Sequence, residues 1–127
     1  REDFDLLVRT VVEIGKAEVI QDFSQSRGHK VTFFALGNMQ KIATKAAEQL
    51  AAEGFNCAVI NPRFTKPLDE TLTGQFGSVS DVVVTLEDHV LPGGYGSSVL
   101  ELFNQRRIAT PVVSIGWPDQ LLRRQPF

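Results

Sequence analysis

From Lys30 onward, short apolar runs alternate with segments whose apolar residues recur every three to four positions. This is the pattern of a mainly parallel sheet with helices packed on its faces. The run Val31-Thr32-Phe33-Phe34-Ala35-Leu36 is β-branched and aromatic and stops at Gly37, which predicts a buried first strand, with Asn38 placed to cap the next helix. That helix has the cleanest period in the chain. Met39, Ile42, Ala43, Ala46, Ala47, Leu50 and Ala51 fall on one face, Lys41, Lys45, Glu48 and Gln49 stay in water, and Gly54 ends it.

Residues 56–60 read as a second strand, and residues 61–67 as a loop broken by Pro62 and Pro67. A second helix starts at Leu68-Asp69-Glu70. Gly74 and Gly77 each weaken it by ~1 kcal/mol relative to alanine, so it is expected to be short or irregular. Residues 81–86 form a third apolar strand. Glu87-Asp88-His89 and a glycine-rich turn then lead into a third helix with Val99, Leu100, Leu102 and Phe103 inward, and residues 111–115 form the next strand. Residues 1–29 are a leading segment with an extra strand near 14–20 that bends at Gly15. Residues 30–120 make the α/β domain and residues 121–127 a tail.

Composition narrows the class. The length of 127 residues suits one domain, and 43% apolar with 22% charged residues is the balance of an ordinary globular chain. A net charge of −2 with scattered lysines and arginines lacks the basic field that holds a phosphate backbone, so nucleic acid is excluded as a partner. Arg106-Arg107 and Arg123-Arg124 read as solvated charges. No stretch suits a membrane, and the expected compartment is the cytoplasm. The lone cysteine, Cys57, sits in an apolar strand and is expected in the core. The chain opens on arginine and its one methionine is Met39, so a piece of something longer is expected.

Ligands of an open α/β sheet sit beyond the carboxyl ends of its strands, which directs attention to residues 37–39, 61–67, 87–98 and 116–119. Gly94, Tyr95, Gly96, Ser97 and Ser98 bring backbone N–H groups to a helix start and form a candidate anion-binding turn. Its spacing matches neither the dinucleotide fingerprint nor the phosphate loop, and a tight turn with close helix packing is the favoured explanation of the glycines. Glu87, Asp88 and His89 offer acid–base groups, but consecutive residues after a strand fan apart and read as cap, turn or interface polar groups. His29, in a polar loop, is expected in solvent. One cysteine and two distant histidines give no zinc site, and Gly96-Ser97-Ser98 is no nucleophile elbow. No catalytic, cofactor or metal residue is assigned to this segment. Arg63, Phe64, Lys66, Glu87, Asp88, His89, Val90, Leu91 and Tyr95 form a candidate interface, apolar and aromatic at its centre with charges at its rim.

Five blocks recur in order: Ile14-Gly15-Lys16-Ala17-Glu18-Val19, Ala35-Leu36-Gly37-Asn38-Met39, Val59 through Asp69, Glu87-Asp88-His89 with Gly93-Gly94-Tyr95-Gly96-Ser97, and Ile115-Gly116-Trp117-Pro118-Asp119. In their order and spacing they resemble the C-terminal domain of the transketolase family of thiamine-diphosphate enzymes over roughly residues 14–120. Within it the Asn61-to-Asp69 and Gly116-to-Asp119 blocks look most like 1-deoxyxylulose-5-phosphate synthase. The 2-oxo-acid dehydrogenase β subunit, transketolase itself and a freestanding interaction module remain as alternatives.

The resemblance implies a three-layer α/β/α sandwich around a five-stranded mixed sheet with one antiparallel strand. It also implies a parent enzyme that holds thiamine diphosphate and magnesium in domains preceding this one, through a Gly-Asp-Gly…Asn motif and a glutamate that this segment lacks. The expected partners are those preceding domains and a second copy, as a homodimer. The implied reaction decarboxylates pyruvate and passes its two-carbon fragment to glyceraldehyde 3-phosphate, feeding isoprenoid and thiamine synthesis. Gly74, Gly77, Arg123-Arg124 and an ending at Phe127 depart from the family pattern, and truncation of the tail is expected.

Overall fold

The computed structural model describes residues 16–25, 27–63, 68–87 and 94–116. Five strands form one mixed sheet in the order β1-β3-β2-β4-β5. They are β1 (Glu18–Gln21), β2 (Lys30–Ala35), β3 (Asn56–Asn61), β4 (Val82–Glu87) and β5 (Val112–Gly116). β1 runs antiparallel to β3, and every other pair is parallel. Among the described residues three α-helices connect the parallel strands: α1 (Gln40–Ala52), α2 (Glu70–Val79) and α3 (Tyr95–Arg106). The three-layer mixed α/β architecture expected from the resemblance is the one observed.

The alternation of side chains across the pleat divides the core in two. On one face Val31, Phe33 and Ala35 of β2 and Cys57 and Val59 of β3 pack against Met39, Ala43 and Ala47 of the α1 side. Ala43 and Ala47 have no exposed surface, so the small side chains bring α1 close to the sheet. On the other face Phe34, Ile60 and Val83 meet Tyr95, Val99 and Phe103 of α3, with Leu72 and Phe76 of α2 alongside.

Several local expectations need correction. Asn38 does not cap α1. It lies within a 3-10 turn, Gly37–Met39, and the helix begins after Met39 without a side-chain cap. Ile42 and Leu100, both assigned inward, are 45% exposed, because α1 and α3 each bury a stripe narrower than their apolar residues. The helix α2 is continuous over ten residues despite its glycines. Gly77 lies under the ring of Phe103, and a Cβ there would come within 2.3 Å of Phe103 Cζ, so the helix–helix contact offsets the local conformational cost. Gly15 lies outside the described residues.

Buried polar groups fix the connections. Asn56 is 1% exposed. Its Oδ1 accepts from the Ser24 and Gln25 N–H groups at 3.1 and 3.3 Å, while its Nδ2 donates to the Gln25 carbonyl at 2.7 Å. One side chain thus holds the turn that carries the chain from β1 to β2. Asp69 does the same elsewhere: Oδ1 caps α2 by accepting from Leu72 N–H at 3.1 Å, and Oδ2 accepts from Ala17 N–H at 2.7 Å at the entry to β1.

Candidate functional site

The first parallel strand, β2, sends its chain over one face to β3 and the return path over the opposite face to β4. The crevice between the carboxyl ends of β2 and β4 is therefore the topological switch point, where ligands of such sheets bind. Gly37, at φ 60°, and the exposed Asn38 stand on the β2 side, and Glu87 closes the β4 side.

Glu87 does not face solvent. It is 1% exposed, and its two carboxylate oxygens accept from Tyr95 N–H at 2.9 Å and Gly96 N–H at 2.8 Å, the first amides of α3. The helix dipole and its unpaired donors favour an anion at this point, and the chain supplies one. Gly94 precedes the helix as its N-cap residue with no side-chain cap, and Ser98 N–H donates to the Gly94 carbonyl at 3.3 Å. In the candidate anion turn, Tyr95 and Gly96 thus spend their N–H groups on Glu87, and Ser97 is exposed.

Gly96 has a packing reason as well. A Cβ there would stand 2.6 Å from Ser114 Oγ and 3.0 Å from Thr85 Oγ1, two hydroxyls already joined by a 2.9 Å hydrogen bond. Tyr95 is 1% exposed, its ring tilted against Phe34 at 6.4 Å between centroids. Burial pushes the Tyr95 phenol well above its ordinary range. The neighbouring Thr73 hydroxyl pulls it partly back, and the Glu87 and Asp69 carboxylates push it up again. Although Thr73 is beside it, the geometry falls short of a hydrogen bond, and the Tyr95 hydroxyl has no partner among the described residues.

These positions change the candidate interface. Glu87 and Tyr95 are core residues and cannot line a contact surface, because the carboxylate is consumed by α3 and the ring fills the space over Phe34. Arg63 is exposed, in a left-handed conformation at φ 66°, with its N–H donating to Asn61 Oδ1 at 3.0 Å. Phe64, Lys66, Asp88, His89, Val90 and Leu91 lie outside the described residues. His29 is exposed, with Nδ1 3.5 Å from Asp81 Oδ2, and Cys57 is buried, as the sequence suggests.

Among the described residues no three His, Cys, Asp or Glu side chains gather to hold a metal ion, and no helix is long and apolar enough to cross a membrane. The described residues do not fit a magnesium diphosphate. The helix start that would hold the phosphates already binds a carboxylate, and among the described residues no group of metal ligands is assembled beside it. An open groove of about 470 Å³ runs between Ile20 of β1 and Lys41, Thr44 and Lys45 of α1, and it shares no residue with the Glu87 cluster. The signal for the Glu87 latch was present in the sequence as an acidic residue ending a strand eight positions before a glycine-flanked helix start, but pairing the two needs the fold.

Comparison with known proteins agrees with this architecture. The family model described as "Transketolase, C-terminal domain" matches residues 15–126. The 1-deoxy-D-xylulose-5-phosphate synthase of Caldanaerobacter subterraneus subsp. tengcongensis is 40% identical over 120 residues, 94% of this chain and 18% of that protein. The synthase of Acidobacterium capsulatum is 43% identical over 109 residues, 86% of this chain and 17% of its own length. The chain thus spans under a fifth of these relatives. Among solved structures, a split gene transketolase described as an inactive beta4 tetramer superposes with a TM-score of 0.71 at 35% identity, covering 80% of this chain and 32% of that one. A 2-oxoglutarate:ferredoxin oxidoreductase from Magnetococcus marinus, at 19% identity and a TM-score of 0.57 over 91% of this chain and 20% of that one, shares the fold. With its mixed five-stranded sheet and a family match over nearly its whole length, this chain belongs to the transketolase C-terminal domain family.

Proposed function

We propose that the chain is the C-terminal domain of a longer, cytoplasmic, thiamine-diphosphate-dependent 1-deoxy-D-xylulose-5-phosphate synthase, and that it contributes association and site shaping rather than catalytic groups. Identity of 40% to a synthase across 94% of the chain is the observation that carries this reading. In the whole protein, pyruvate would lose carbon dioxide and its two-carbon fragment would pass to glyceraldehyde 3-phosphate. Thiamine diphosphate and magnesium would be bound by other domains, in keeping with a helix start here that is already neutralised by Glu87. The loops at residues 61–67 and 88–93 are the proposed contacts with those domains or with a second copy in a homodimer, with Arg63 at the rim.

The decisive experiment pairs two measurements. The complete reading frame should release carbon dioxide from pyruvate only when glyceraldehyde 3-phosphate and thiamine diphosphate are present. The 127-residue chain alone should give no calorimetric signal with thiamine diphosphate and magnesium. Micromolar binding by the chain alone would place the cofactor site here and defeat the assignment of roles. The likeness to a split gene transketolase favours transketolase as the second reading, and activity on ketose phosphates without carbon dioxide release would select it.

A further inference from the structure

Side-chain burial holds β1 weakly. None of its four residues is buried, Val19 and Ile20 are 40% and 43% exposed, and its register with β3 breaks between Val19 and Gln21. Hydrogen bonds must therefore fix where this strand lies. A short one stands at its entry: Ala17 N–H donates at 2.7 Å to Asp69 Oδ2, 52 positions further along the chain. The acceptor is a carboxylate, and a bond to a charged group is roughly twice as strong as one between neutral groups.

Asp69 is engaged on its other side as well. Its Oδ1 accepts from Leu72 N–H at 3.1 Å and its carbonyl from Thr73 N–H at 3.1 Å, which closes the first turn of α2. Ala17, Leu68 and Leu72 all pack on the core cluster of Phe34, Ile60 and Tyr95. The other end of the same connection, where β3 stops, is tied to β1 too. Asn61 pairs with Glu18 in the sheet, and its Nδ2 donates to Glu18 Oε1 at 3.4 Å. Its Oδ1 accepts from Arg63 N–H at 3.0 Å and so holds the left-handed backbone of Arg63, a conformation that a residue other than glycine keeps only where its neighbours fix it. Ala17 and Glu18 thus grip both ends of the chain between β3 and α2.

We propose that Asp69 is a positioning residue that couples the entry of the chain into the sheet to the start of α2, so that a displacement at Ala17 is felt at Leu72 and a displacement at Leu72 is felt in β1. One carboxylate joins the two by its separate oxygens, and neither oxygen can follow one partner without leaving the other. Such coupling is reciprocal in free energy. In a longer synthase, the reading on which this consequence rests, residues ahead of Lys16 lead to the preceding domains. The placement of those domains then reaches the carboxyl end of β3 and the start of α2 through Ala17 and Asp69. Neither residue touches substrate; both set where the groups around the site stand.

Hydrogen exchange of the complete protein tests the coupling from both ends. Ala17→Pro removes the donor and leaves Asp69 whole, and proline is tolerated at the start of an edge strand. Asp69→Ser removes the acceptor and keeps a side-chain cap for α2. Ala17→Pro should speed exchange of the Leu72 and Thr73 N–H groups about tenfold or more, the effect of losing one bond to a charged group, and Asp69→Ser should speed exchange across residues 18–21 by a similar factor. At residues 18–21 the double variant should exchange no faster than the single ones, since the same bond is lost in each. If the proline variant does not fold, Asp69→Ser decides alone. Exchange that changes only beside each substituted residue overturns the proposal, because a strand end and a helix cap acting independently would give that result. In the complete reading frame both variants should lower kcat about tenfold while the thiamine diphosphate concentration for half-maximal activity stays the same. An unchanged kcat beside coupled exchange would refute the functional half. A complete, unaltered protein without synthase activity would refute the parent assignment instead, and the exchange result does not depend on it.

Discussion

Glu87 and Gly96 are nine residues apart in the chain and meet across a 2.8 Å hydrogen bond, in which the glycine N–H donates to the carboxylate. The other carboxylate oxygen takes the Tyr95 N–H at 2.9 Å, so one buried anion ties the last residue of β4 to the first turn of α3. The charge is tolerated because the amides and the helix dipole face it.

Glu87→Gln keeps one acceptor but turns an NH2 group toward a backbone donor. It should cost about 2–3 kcal/mol of stability, since charge-assisted bonds are lost and a buried amide is left unpaired. Urea unfolding of the variant and the unaltered chain measures the difference. A loss below about 0.5 kcal/mol, the range of neutral surface changes, would show that the latch is incidental.

Tyr95→Phe removes a buried hydroxyl that has no hydrogen-bond partner among the described residues while keeping the ring against Phe34. Stability should be unchanged or higher by about 1 kcal/mol, because the desolvation penalty of the oxygen disappears. Tyr95→Ser should instead cost about 3–5 kcal/mol through the cavity it leaves. A destabilised Phe variant would mean that the hydroxyl has a partner after all.

Gly77→Ala drives a methyl group into the Phe103 ring, where a Cβ would stand 2.3 Å from Cζ. The expected cost is about 1–3 kcal/mol from overpacking, although alanine is the better helix former. Combining it with Phe103→Leu should recover part of that loss, measured as a coupling energy in a double-mutant cycle. Strict additivity would argue against the contact.

Stability should fall on the alkaline side. Burial raises the Cys57 thiol above its ordinary 9.0, and the Tyr95 phenol rises from an ordinary 10.0. Between the unfolded and folded values the native chain keeps a proton that the unfolded chain has lost, so unfolding becomes more favourable as pH increases. The decline should begin near pH 9 and steepen above 10. Cys57→Ala should remove its first part, and a flat profile to pH 11 in urea titrations would contradict the burial of both groups.

The order of apolar runs locates each described strand to within a few residues, because alternating and continuous apolar runs such as residues 31–36 and 56–60 have few other interpretations. Helix interiors were legible for the same reason. What failed was local chemistry read one residue at a time. Asn38 looked like a cap and sits in a 3-10 turn, and Gly74 and Gly77 looked like weak points within a helix that is in fact continuous.

The sequence by itself determined the class of fold, since the spacing of apolar residues dictates which faces must be buried whatever their partners. It also determined the family, through blocks whose order survives divergence. Only the tertiary structure decided what those blocks do. Whether the amides of Tyr95 and Gly96 await an external anion or already hold Glu87 depends on the end of β4 being carried to the start of α3. Whether Tyr95 is a surface anchor or a core ring depends on the room left above Phe34. Each is a relation between distant residues, fixed by packing and hydrogen-bond geometry rather than by the identity of any one of them.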